Sequence, residues 1–334
     1  QKVERFHYSR FVVTQKLSYQ ELEKKVEYLE DVLDRYSKSD YSLIQSLVHP
    51  DQNEEVDYEP FYGDVTELNT SRLILDSVGK ANLQAIAEDA IDLLGTSVAV
   101  YEANGDYAFG MFSSGWCRLM DASSRRLCNT EDNYEALNSG KWLCHENCWN
   151  QSARAAINSG QSTDIKCIGG INLYAEPIYA GNQVVGSINI GYGTPPQDPD
   201  KISELAQVFQ IEEERLYHAA RAYQPRPQAI IDLAKKRLAI SAKLIGQIVV
   251  QKMSAQALLK SEEFQRIIFH SIGDAVIATD TKGNILRMNP VAEALTGWDF
   301  QEAQGKSLRI IFRIVNAYTR EPCADPVQKV LASG

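Results

Sequence analysis

Long apolar runs are missing from these 334 residues. None approaches the roughly 20 residues that a helix needs to cross a bilayer, and the stretch at 244–250 is broken by Gly246 and Gln247. The first residues carry mixed charge and no continuous apolar segment, so no export signal is read there. Basic residues are outnumbered, with 34 Lys and Arg against 44 Asp and Glu and a net charge of −10. Phosphate binding requires concentrated positive charge, which argues against nucleic acid as the main partner. Catalytic signatures are absent too: there is no phosphate-binding glycine loop, no nucleophile elbow and no histidine-rich metal site. These absences describe a cytoplasmic, non-membrane chain without a catalytic domain of its own.

What is present is the balance of a folded protein, 44% apolar and 23% charged. The length is too great for one ordinary core and implies two globular units with connecting helices. Six cysteines in a chain without export signals stay reduced, so metal binding or redox chemistry outranks disulfides. Five of them, Cys117, Cys128, Cys144, Cys148 and Cys167, fall close together, while Cys323 stands alone.

Punctuation along the chain sets out five segments. Residues 1–40 hold an N-terminal helix: Ser18 and Glu21 fit a capping box, and Leu22, Val26, Leu29, Leu33 and Tyr36 follow at coiled-coil spacing. A polar linker covers 41–68. A first domain spans 69–223, with a helix at 80–94 and a hairpin about Asn104-Gly105, whose residues supply the positive φ of a tight turn. Helices at 114–121, 130–138 and 145–158 and strands at 164–167, 171–179 and 183–192 follow. After helices at 201–209 and 212–223, a connecting helix occupies 224–260, part of a helical pattern running over 228–270. Along it Ile231, Ala234, Leu238, Ser241, Ile245, Ile248, Ala255 and Leu259 keep 3–4 spacing. A last unit fills 261–334. The fold class is α+β: an antiparallel sheet with flanking helices, of PAS or GAF type, then a long coiled-coil helix.

The segment Asp274–Trp298 resembles the opening of a PAS domain. It offers a strand, a Lys282-Gly283-Asn284 turn, a second strand, and a helix entered at Pro290 and stopped at Gly297. The resemblance covers 261–334 and implies a relay and dimerisation element, incomplete at Gly334. The first domain resembles the sensory domain named after the PocR regulator, on Gly115-Trp116-Cys117-Arg118-Leu119, Leu127-Cys128, the run from Ile165 to Ile178 and the run from Val184 to Gly191. That resemblance implies sensing of small organic molecules, with simple diols as the ligand type. It places the chain upstream of an output such as a histidine kinase or diguanylate cyclase, as in two-component signalling.

Chemistry concentrates in the cysteines. Cys144 and Cys148, four apart, share one face of a helix. With Cys117, Cys128 and Cys167 they offer thiolates for zinc or an iron–sulfur cluster, although no CxxC pair occurs among them. A small organic ligand is the other candidate, with Trp116, Tyr174, Glu176 and Asn189 placed to line a cavity between sheet and helices. Three functions follow: a sensor whose metal centre or ligand shifts helix packing, a thiol redox switch, or a dimerisation scaffold holding structural zinc. The expected partners are a second copy, through 18–36 and 228–270, and a downstream output domain.

Overall fold

The computed structural model describes residues 60–112 and 114–322 together with Lys24 and Glu27; the side chains of Met111 and Phe112 are not described. The coiled-coil expectation for 18–36, the greater part of the linker and Cys323 lie outside these residues. The chain divides into two units, Gln1–Ala255 and Gln256–Gly334.

In the first unit helices α1 (Leu73–Val78) and α2 (Lys80–Leu94) precede a hairpin of β1 (Ser97–Glu102) and β2 (Tyr107–Phe112). Gly105, at φ 101°, makes the expected turn. Glu102, fully buried, accepts from the N–H groups of Ile74 (3.0 Å) and Leu75 (3.2 Å) and so fastens the start of α1 to the hairpin. Helices α3 (Gly115–Arg126), α4 (Asn133–Asn138) and α5 (Leu143–His145) come next. A π-helical stretch Glu146–Ala153 continues α5 and leads into α6 (Arg154–Ser159). Strands β3 (Thr163–Lys166), β4 (Asn172–Ala180) and β5 (Gln183–Tyr192) complete the sheet, and α7 (Pro199–Phe209) and α8 (Glu213–Ala222) follow it. The strand order is β2-β1-β5-β4-β3, antiparallel throughout. The α+β expectation holds.

Side-chain alternation gives the sheet two different faces. On one face Val98, Val100, Ile178, Ile188 and Ile190 form a core with α1, α2 and the long helix α9 (Gln228–Ser271). On the other face Ala99, Tyr101, Tyr107 and Leu173 meet Cys148 and Ala153 of the π-helical stretch. Beyond these lies a second cluster, containing Trp116, Met120, Cys144, Leu205 and Phe209.

Helix α9 departs from the expectation of a free coiled-coil seam. Ile231, Ala234, Leu238, Ser241, Ile245 and Ile248 are all buried, and the apolar members among them belong to the first core. Spacing of 3–4 reports that a helix buries a stripe, not which surface covers it; here the covering surface is the chain's own sheet. The helix as far as Val249 thus shares the core that the sheet builds. Gly246 belongs to this contact, since a β-carbon there would collide with the carbonyl of Tyr179 at the end of β4.

The second unit holds the remainder of α9, then β6 (Ile277–Thr279) paired antiparallel with β7 (Ile285–Met288). Helices α10 (Pro290–Thr296), α11 (Phe300–Ala303) and α12 (Leu308–Ile311) follow. Buried Asn289 organises the turn: its Oδ1 accepts from the N–H groups of Ala292 and Val276, both at 2.9 Å, and its Nδ2 donates to Asp274 O at 2.8 Å. Gly297, at φ 74°, ends α10 as expected. Ile285, Met288, Ala292, Ala303, Leu308 and Ile311 form the core.

Candidate sensory centre

Helix α3 starts where Ser114 Oγ accepts from the Cys117 N–H at 3.0 Å. Its period then points Trp116, Cys117, Met120 and Asp121 inward, and all four are buried. Trp116 Nε1 donates to Gly169 O at 3.0 Å, holding α3 to the turn between β3 and β4. Cys167 opens that turn: its N–H donates to Ile171 O at 2.7 Å, its Sγ accepts from the Gly169 N–H at 3.2 Å, and Gly170 takes φ 87°. From the third side come Cys144, in α5, and Cys148, in the π-helical stretch.

An α-helix is the sequence expectation for 145–158; a π-helical stretch takes the place of its first half. Within it Cys148 O accepts from Asn189 Nδ2 of β5 at 2.9 Å, and Asn147 Oδ1 accepts from the Ile168 N–H at 2.8 Å. Side chains on either side of the sheet surface thus bind this helix to β5 and to the β3–β4 turn. Such π segments are frequent at functional sites.

Cys148 and Cys167 lie near enough to each other, and to Cys117 and Cys144, for charge on one to raise the others. Burial pushes Cys144 well up from the ordinary thiol range, and negative charge at Asp121, Cys167 or Cys148 would push it further. Burial does the same to Cys148, with Cys167, Cys117 and Asp121 adding to it. Cys167 is raised by burial to about 12, although the Gly169 N–H opposes the rise. Cys117 is raised by burial, with Ser114 and Ser97 opposing. All four are therefore neutral thiols at neutral pH, not the activated thiolates of a reactive cysteine. Cys128 has other partners: its thiol faces Ser124 O at 3.7 Å and Ala136 O at 3.8 Å and accepts from Ser139 Oγ at 3.4 Å. Among the described residues no three His, Cys, Asp or Glu side chains stand close enough together to hold a metal ion. Ligation of one ion by the four thiols requires their side chains to turn toward a common point.

The organic-ligand set is divided by the sheet. Asn189 lies on the thiol face, opposite Ala175 in register, whereas Tyr174 and Glu176 pair with Ile190 and Ile188 on the face that packs α9. Tyr174 OH donates to Glu176 Oε2 at 2.7 Å. Period 2 separates these residues once the register is known, and register is not written in any one strand. Trp116 and Asn189 remain on one side; Tyr174 and Glu176 do not join them.

Several site residues carry no sequence signal of their own. Asp121 is buried, accepts from Tyr62 OH at 2.6 Å and Trp142 Nε1 at 2.8 Å, and burial raises its carboxyl to about 6. Its place four residues after Cys117, on the same helix face, was the available clue. Tyr101 OH donates to Tyr107 OH at 3.2 Å, which stands 3.0 Å from His145 Nδ1. Burial lowers His145 to about 4, so the ring is neutral and Nδ1 is free to accept from Tyr107.

The family profile described as "Sensory domain found in PocR" matches residues 76–250, more than half of the chain. The chain belongs to the PocR sensory family. The PocR match ends beside Val249, where the packed part of α9 also ends, and a profile described as "PAS fold" matches 262–314. Among curated proteins, the chain is 40% identical over 63 residues to the probable diguanylate cyclase DgcE of Escherichia coli strain K12, covering 19% of this chain and 6% of that one. It is 34% identical over 65 residues to the signal transduction histidine-protein kinase AtoS of the same organism, covering 20% and 11%. The chain therefore spans a small fraction of these relatives. The crystal structure of the E. coli DhaR(N)–DhaL complex superposes with a TM-score of 0.35 at 12% identity, over 85% of this chain and 84% of that one. A PocR domain followed by a PAS domain makes this chain a sensor segment of signal transduction. Among the described residues no helix is long and apolar enough to cross a membrane.

Proposed function

We propose that the PocR domain senses through its four-thiol centre, taking a thiophilic metal species, an iron–sulfur cluster or zinc, between the sheet and the π-helical stretch. The observation that supports this is that Cys117, Cys144 and Cys148 are buried, and half-buried Cys167 packs beside them, on the side of the sheet away from α9. Each is held as a neutral thiol by burial. A soft metal takes up thiolates and releases their protons, so binding offsets the burial that opposes ionisation. Cys128 stands outside the set. Asp121 supplies negative charge nearby, and Asn189 and Trp116 position the segments bearing Cys148 and Cys167. Such a centre belongs in a reducing compartment, the cytoplasm.

Binding then biases α9 and, through it, the PAS domain and an output of kinase or cyclase type. The part of α9 beyond the packed stripe exposes Met253, Leu259, Phe264, Ile267 and Ile268, and we assign homodimer contact to this part rather than to Gln228–Val249. A thiol redox switch is less well supported, because raised thiols react slowly. Structural zinc in a scaffold, and an organic ligand held near Trp116 and Asn189, are alternative outcomes of one experiment. Protein purified without oxygen is analysed for iron, sulfide and zinc and for visible absorption. Cys144→Ser and Cys148→Ser are expected to lose the metal and Cys128→Ser to keep it. Metal content unchanged in the first two removes them from the site, and metal-free wild-type protein leaves the organic ligand.

A further inference from the structure

Strand β3 serves both faces of the sheet. Among the described residues it is an edge strand, paired only with β4. Ile165 and Cys167 pack against the thiol-face cluster, while Asp164, opposite Tyr174 in register, turns toward α9. Asp164 Oδ2 accepts from Lys235 Nζ of α9 at 2.6 Å, and Oδ1 accepts from Tyr192 OH at 2.5 Å. The same ammonium stands 4.0 Å from the centre of the Tyr192 ring and 5.0 Å from that of Tyr174. One lysine of the long helix is thereby gripped by a carboxylate and two aromatic faces of the sheet.

We propose that β3 is a transmission strand, and that Lys235, Asp164, Tyr192 and Tyr174 form a latch through which the state of the thiol centre sets the sheet's grip on α9. The proposal rests on the thiol centre being the receptor. Cys167 stands three positions after Asp164, so a turn of Cys167 toward a ligand acts directly on the strand that carries the latch. An edge strand has one hydrogen-bonded neighbour and shifts more readily than an interior one. The latch is also weak enough to switch: the Lys235 and Asp164 side chains are 22% and 46% exposed, where ion pairs contribute little to folding. By contrast the apolar stripe of α9 is deeply buried and holds the helix whatever the latch does.

Hydrogen exchange on the whole chain tests this, first metal-free and then after loading with Zn²⁺ alone. In metal-free Lys235→Met, amides of 231–238 and of the turn 167–170 are both expected to exchange roughly three- to tenfold faster than in wild type, because coupling between two sites is reciprocal. Lys235→Arg is expected to restore both. Faster exchange confined to the helix, with the turn unchanged, overturns the proposal. In the loaded proteins wild type is expected to change its exchange along 231–238. The Lys235→Met protein should bind the same zinc without that response, and a wild-type response in the variant overturns the latch. Failure of wild type to take up zinc counts against the receptor reading alone, since the metal-free comparison judges the latch independently.

Discussion

Asp121 and His145 sit on the same face of the sheet and respond oppositely to acid. Burial raises Asp121 from 3.8 to about 6. The folded state then binds the proton more tightly than the unfolded one, and stability falls as pH rises between those values, by about 3 kcal/mol. Burial lowers His145 from 6.5 to about 4. Here the unfolded state takes the proton first, and stability falls by a similar amount as pH drops from 6.5 toward 4. Over the shared interval the two largely cancel. In Asp121→Asn only the histidine effect remains, so urea unfolding of metal-free protein should show stability dropping steeply on acidification from pH 6.5 to 4. Wild type should stay flatter, and equal slopes in the two proteins would remove Asp121 from this account. Little of this was legible beforehand: a cysteine cluster can be seen in the sequence, whereas a carboxylate among many becomes distinctive only when burial removes its water.

At the scale of elements, Gly246 shows how a helix and a strand end determine each other. In an exposed helix, Gly→Ala stabilises by about 1 kcal/mol. In α9 the added methyl meets the Tyr179 carbonyl, and forced overpacking costs about 1–3 kcal/mol. Gly246→Ala is therefore expected to lower stability in chemical denaturation; a rise would mean that helix and strand end are not in close contact. The π-helical stretch is a second case. Alternation located the strands and 3.6 periodicity located most helices, yet the wider turn at Glu146–Ala153 is bound by Asn189 and Asn147, residues whose roles depend on partners distant in sequence. Candidate site residues divided for the same reason. Trp116 and Asn189 lie on the thiol side of the sheet, while Tyr174 and Glu176 fell on the far side through strand register.

For the whole PocR domain, the long helix is part of the fold as well as its exit. Without Gln228–Val249, the apolar face formed by Val98, Val100, Ile188 and Ile190 is left open to water. A fragment of residues 60–223 is expected to lose cooperative thermal unfolding and to bind hydrophobic dyes, whereas 60–250 retains a sharp transition. Equal transitions would show that the helix adds nothing to the core. The sequence alone determined the elements, their antiparallel class, the PocR and PAS resemblances and the concentration of thiols, because these follow from local periodicity, turn chemistry and composition. Tertiary structure alone decided which surface covers the stripe of α9, which thiols are buried and which side of the sheet each polar residue takes. Those outcomes depend on strand register and long-range packing, and a periodic pattern is equally satisfied by a partner chain or by the chain's own sheet.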